Sequence, residues 1–204
     1  MSLSVALEHY ERGLALLPLR PKGKEPNFAV LTEVHGSQEW RPLAARRASP
    51  AEIRHWHEVD PETNLGVILG GPSGGLVVID VDREPMGVAW PATPTVRTSR
   101  GRHVYVRSDE PVQTMTFPWG ELRGEGSYVA LPDSVHPSGI RYEYVVSPSE
   151  AEPIGLSDLE FPGTSHHHHK ALGGLGPNPQ EYQLPAYPSE DLVGELGCPI
   201  PRSW

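Results

Sequence analysis

Leu76-Val-Val-Ile-Asp-Val-Asp82 is the most hydrophobic run in the chain, and it ends in two acids. Shortly before it stand Leu65-Gly-Val-Ile-Leu69 and the turn Gly70-Gly-Pro-Ser-Gly-Gly75. Continuous β-branched runs bounded by glycine predict two buried strands in a sheet covered on at least one face. Further strands are expected at 95–98, 103–107, 128–131 and 142–146. Upstream, Val5 to Leu16 carries an amphipathic helical pattern that closes at Gly13 or shortly after, and Leu14 to Leu19 turns into a short strand. Ser49-Pro-Ala-Glu52 reads as a helix start, with Ser as N-cap, Pro at the first helical position and Glu at the third. That helix would carry Ile53 and Trp56 inward and stop before Pro61. Helices come early and strands late, so the expected class is α+β, a mixed or antiparallel sheet with flanking helices.

Composition narrows the function classes. At 37% hydrophobic and 21% charged residues the chain reads as globular. Its 23 prolines exclude an all-helical bundle, since helix interiors tolerate proline badly. Cys198, the single cysteine, can form neither an internal disulfide nor a cysteine zinc site. No apolar stretch approaches the ~20 residues that span a bilayer, and the first residues carry acids where a secretory signal would be basic. The expectation is a soluble cytoplasmic protein with no membrane partner. After Glu150 the character changes, with eight prolines and seven glycines in 54 residues. The expected division is a domain over 1–162 and a Pro/Gly-rich acidic tail over 163–204, in which His166 to His169 read as a polar run.

The formal net charge of −9 would disfavour a nucleic-acid partner if it were evenly spread. It is not: residues 151–204 hold two basic and seven acidic side chains, more than half of the excess. Arg97 to Arg107 contains four arginines, one histidine and no acid.

Asp80 and Asp82 stand two apart at the end of a buried strand, a spacing that turns both side chains to one face. Paired carboxylates there are costly unless a cation or hydrogen-bond donors compensate them, and hard ions such as Mg²⁺ take oxygen ligands. The same acids could equally mark the exposed end of the strand and cap the next turn. Arg97-Thr-Ser-Arg-Gly-Arg-His103 brings guanidinium forks and hydroxyls suited to a phosphate chain. A solvated basic hairpin would look the same. Alternation puts His103, Tyr105 and Arg107 on one strand face. No Gly-Lys-Ser/Thr triplet occurs, which argues against ATPase and helicase activity. Glu121 precedes a further strand, with Arg123 on its side if the segment is extended. Trp119, two residues before Glu121, is the tryptophan best placed to stack a base.

Taken in order, these features form a recognisable set. An N-terminal helix, a Pro-Leu strand and the loop Lys22-Gly-Lys-Glu-Pro26 precede Asn64-Leu-Gly-Val67 and the Asp80-Val-Asp82 strand. Gly101-Arg-His103, Glu121-Leu-Arg-Gly124, Gly126-Ser-Tyr-Val-Ala-Leu-Pro132 and Ser134-Val-His136 follow. The set resembles the bifunctional primase/polymerase (prim-pol) domain of the archaeo-eukaryotic primase superfamily, over roughly residues 5–160. The resemblance implies a primase-like, RRM-like catalytic core in which Asp80, Asp82 and Glu121 hold two Mg²⁺ or Mn²⁺ ions. It also implies that His103 contacts the triphosphate of the incoming nucleotide. Gly101 stands where many members have serine. Arg97, Ser99, Arg100 and Arg123 join the nucleotide site on chemistry and proximity. The implied function is a template-dependent nucleotidyltransferase, a DNA primase and/or polymerase serving a mobile element. Its partners would be a single-stranded or primed DNA template, dNTP or NTP, and a separate helicase. The rival is a non-catalytic nucleic-acid-binding module of the same fold, and a metal-dependent phosphodiesterase ranks third.

Overall fold

The computed structural model describes residues 1–159, and the tail, with its histidine run and Cys198, lies outside them. Four helices and ten strands follow in the order α1 (Leu3–Glu11), β1 (Ala15–Leu19), α2 (Phe28–His35), α3 (Pro42–Ala45), α4 (Pro50–Val59), β2 (Asn64–Ile68), β3 (Leu76–Val81), β4 (Thr95–Arg97), β5 (Arg102–Arg107), β6 (Met115–Phe117), β7 (Gly120–Arg123), β8 (Tyr128–Ala130), β9 (Glu143–Val146) and β10 (Ile154–Gly155). The class is α+β, as expected, and compatible with a primase-like core.

The strands form two sheets. A three-stranded sheet runs β1-β2-β8, and a larger one runs β6-β7-β3-β5-β4-β9, with β10 paired to β5. Every pairing is antiparallel except β10 with β5. In the small sheet β1 and β2 are buried along their whole length, the pattern of strands covered on both faces. One core cluster joins the helix residues Ala6, Leu31, Ile53 and Trp56 to this sheet and to the inner face of the large one, through Leu76, Val78, Val96 and Tyr105. A second cluster, with Val77, Ile79, Val81, Val104, Val106 and Leu122, covers the outer face of the large sheet. Strict alternation along β3 and β5 therefore sends each strand's residues to two different cores.

Local sequence explains most boundaries. α4 has the expected capping box: the Ser49 hydroxyl accepts from the Glu52 N–H, and the Glu52 carboxylate accepts from the Ser49 N–H. Ile53 and Trp56 are fully buried, and the helix stops at Val59. α1 is shorter than the pattern suggested, because Gly13 at φ 89° turns the chain into β1. α2 was not anticipated. It is only eight residues long, although its ends are marked by Asn27, whose side chain accepts from the Val30 N–H, and by left-handed Gly36. β6 and β10 are too short to show a period. Among the described residues no helix is long and apolar enough to cross a membrane.

Candidate functional site

The register of three antiparallel strands builds the site. Asp80 on β3 stands directly opposite Glu121 on β7 and directly opposite His103 on β5. Directly opposed residues share a face and lie ~5 Å apart at Cβ. The three side chains therefore form a row across the inner face of the large sheet. Two carboxylates opposed in this way repel each other, and Arg123, two residues along β7 from Glu121, compensates both. Its Nη2 lies 2.7 Å from Glu121 Oε2, and its Nε donates to Asp80 Oδ2 at 3.3 Å.

His103 completes the row as a neutral ring. Burial, with Arg123 and Lys24 adding to it, pushes its pKa down to about 3. Its Nε2 faces Asp80 Oδ1 at 3.6 Å, so this is a neutral imidazole beside a carboxylate, not an ion pair. The ring stacks on Tyr142, with centroids 5.9 Å apart, and Tyr142 in turn meets His136 edge-on. His103 Nδ1 is buried with no hydrogen-bond partner among the described residues. Asp80 moves the other way. Burial pushes its pKa up, Arg123 opposes that shift, and the nearby charge of Asp82 reinforces it.

Asp82 lies one residue beyond the end of β3. Its N–H donates to the Trp119 carbonyl at 3.0 Å, and its carboxylate sits 3.3 Å from Arg100. Two glycines let the neighbouring chain close in at this strand end. A Cβ on Gly101 would lie 1.8 Å from the Val81 carbonyl oxygen, and one on Gly120 would lie 2.0 Å from that of Asp80. Gly101 is thus favoured by backbone approach.

Above the row lies a cleft of about 260 Å³ between the two sheets. Asp80, His103, Arg123 and Tyr142 line one side, Tyr128 to Ala130 of β8 the other, and Lys24 and Trp40 the rim. Lys24 belongs to the basic loop after β1. Asn64 anchors that loop by donating to the Gly23 carbonyl at 3.1 Å, and also to the Val135 carbonyl at 2.7 Å. One buried asparagine therefore ties the Lys22–Pro26 loop and the Ser134–His136 segment to the start of β2.

The structure thus brings together Asp80, Glu121, His103 and Arg123, with Asp82 and Arg100 at the strand end. Ser99 lies beside Arg100 in the turn between β4 and β5. Arg97 is not among them. It stands opposite Arg102, on the face of β5 away from His103, and its Nη2 is 2.5 Å from Glu143 on β9. Trp119 is also turned away: it packs in the outer cluster, stacked on Phe117 at 5.0 Å and buried, so its ring is core and only its carbonyl serves the site. Lys24, Tyr128 and Tyr142 were missed as site residues. Lys24 looked like its neighbours Arg20 and Lys22, and both tyrosines read as ordinary strand residues.

Asp80 and Asp82 offer hard oxygens at one strand end, and the raised pKa of Asp80 marks a carboxylate that a cation would relieve. Mg²⁺ needs only one or two carboxylates beside water and substrate phosphates, so this pair fits. Glu121 is engaged by Arg123, and among the described residues no three His, Cys, Asp or Glu side chains converge as a metal cluster.

The family model for Prim-Pol, the N-terminal domain of bifunctional DNA primase/polymerases, matches residues 6–157. No curated protein matches the chain.

Proposed function

The chain belongs to the Prim-Pol family and so carries a primase/polymerase-type domain, and on that premise we propose that it is a template-dependent nucleotidyltransferase that adds nucleotides to a 3′-hydroxyl. The observation that supports this reading best is the row Glu121–Asp80–His103, of which Asp80 and His103 line a cleft with Lys24 at its rim, a cation with no ion-pair partner among the described residues. Asp80 and Asp82 would hold a Mg²⁺ or Mn²⁺ ion, which would supply charge against the triphosphate and lower the pKa of the attacking hydroxyl. Arg123 and Lys24 neutralise phosphate oxygens, and electrostatic preorganisation of this kind is commonly the largest catalytic term. His103, held against Tyr142, offers a neutral ring N–H to the triphosphate. Glu121, paired with Arg123 at 2.7 Å, would complete the metal-binding acids if Arg123 turned to a phosphate instead. Arg100 and Ser99 flank the entering phosphates, and Arg97 is left out.

In the same reading the catalytic domain ends at 162, the template is single-stranded or primed DNA, and the chain works with a separate helicase in the cytoplasm, replicating a mobile element. One observation favours the rival, a binding module without chemistry: Arg123 already neutralises two of the three acids. A primed template supplied with dNTP or NTP and Mn²⁺ separates the readings. Extension is the expected result. Binding without extension would make the chain a binding module, and degradation would make it a phosphodiesterase.

A further inference from the structure

The inner face of β5 serves a second cleft. His103, Tyr105 and Arg107 share that face, and the four residue steps from His103 to Arg107 span ~13 Å at the strand rise. At the Arg107 end lies a separate cleft of about 370 Å³, within the size range of small-ligand sites. Its charged lining consists of Arg12 from the end of α1, Arg107 and a single carboxylate, Glu152. Tyr105, Tyr144 and prolines such as Pro148 form apolar walls.

We propose that this cleft binds an organic phosphate ester, with the phosphate between Arg12 and Arg107 and the body of the ligand against the tyrosines and prolines. Three observations carry the inference. Tyr105 is only 3% exposed, yet its hydroxyl has no hydrogen-bond partner among the described residues. Native proteins rarely leave such a group orphaned; the hydroxyl is sealed in the apo protein, but Tyr105 lines this cleft, and a small shift of its ring towards a seated ligand would give it a partner. The charges leave a surplus of one guanidinium, and guanidinium forks match phosphate oxygens in geometry. The walls are also preformed. The Thr93 hydroxyl donates to the Tyr105 carbonyl at 2.5 Å, β10 pairs with β5, and the turn carrying Pro148 is closed by the Ser147 N–H donating to Glu150 at 2.7 Å. The Arg12 charge acts on the neighbouring Tyr144 hydroxyl, opposing the rise that burial gives its pKa, and both residues line the cleft. This site stands apart from the Asp80 cleft and does not depend on the function proposed for it.

The phosphate could arrive on a free nucleotide or as part of a strand. The test titrates the full chain by calorimetry in EDTA with adenosine 5′-monophosphate, with adenosine, and with a short 5′-phosphorylated oligothymidylate. Saturable binding of the phosphorylated probes and none of adenosine is expected. Arg12→Gln and Tyr105→Phe should each weaken it about tenfold, and Asp80→Asn should leave it unchanged. Tyr105→Phe removes an unpartnered hydroxyl, so its Tm should hold or rise, and lost affinity cannot then be ascribed to unfolding. Tighter binding of the oligonucleotide assigns the site to a strand, and tighter binding of the monophosphate assigns it to a free nucleotide; either keeps the proposal. Absence of saturable binding overturns it. So does affinity unmoved by Arg12→Gln and Tyr105→Phe, or affinity lost in Asp80→Asn.

Discussion

At the residue scale, Asp80 and the buried histidines make opposite demands on pH. The carboxyl of Asp80 is held above its ordinary pKa, so the folded protein binds that proton more tightly than the unfolded chain does. Its ionisation therefore costs stability as pH rises from about 4, its unfolded pKa, through the folded value. Asp80→Asn should raise Tm at neutral pH while abolishing nucleotide incorporation, and thermal melts with primer extension on one preparation would check both. Retention of activity within severalfold of wild type would remove Asp80 from the chemistry. His9 works the other way. Burial pushes its pKa down to about 4, and both ring nitrogens lack partners among the described residues. It is neutral above pH 7, and stability is lost as pH falls from about 6.5 towards 4, by about 3 kcal/mol from this residue. His103, with its pKa near 3, adds loss over the same window. Denaturant titrations between pH 7 and 4 should show the slope, and His9→Leu should flatten it.

At the element scale, the strand ends around β3 are fixed by backbone contacts more than by side chains. Gly101→Ser would force a Cβ into the Val81 carbonyl. The expected cost is more than about 2 kcal/mol, in the range of overpacking and backbone clashes. Nucleotide affinity should fall with it, because the same turn carries Ser99 and Arg100. An unchanged melting curve would mean that the turn adapts freely. α4 offers a cleaner case. Ser49→Ala removes the cap that meets Glu52 and should cost about 1 kcal/mol, with no effect on nucleotide binding. The strands around β3 were legible because their β-branched runs are long and glycine-bounded. α2, β6 and β10 were not, because two to eight residues are too few for a period to rise above chance.

For the whole molecule, the outer core holds the described chain end through Leu156 and Leu159. A protein truncated after Gly163 should therefore keep the Tm of the full chain within a degree or two, with DNA affinity unchanged or slightly raised. The last quarter of the chain carries excess negative charge, which opposes the phosphate backbone. Salt titrations of DNA binding on both forms would check this, and loss of most affinity with a shallower salt slope would make the tail a DNA contact. The arrangement of the site also belongs to this scale. Residues from four separate stretches, Lys24, Asp80, His103 and Glu121 to Arg123, meet only because β3 lies between β5 and β7 and the small sheet covers their inner face.

Legible from the sequence were the strands over 76–82 and 103–107, which the structure places at Leu76–Val81 and Arg102–Arg107, the capped start of α4, and the residue types that phosphate and metal chemistry need. These are local properties, set by β-branched runs, a Ser-x-x-Glu spacing and the charge of single side chains. Only the tertiary structure decided which of those residues share a face and a cleft. Arg97 and Arg123 are equally basic and equally close in sequence to a site residue. Pairing register sends one to Glu143 on the far face and the other between Asp80 and Glu121. Register between distant strands follows from which hydrophobic faces must be buried against which partners. No single segment carries that information, so the basic residue that mattered could be identified only after the sheets were assembled.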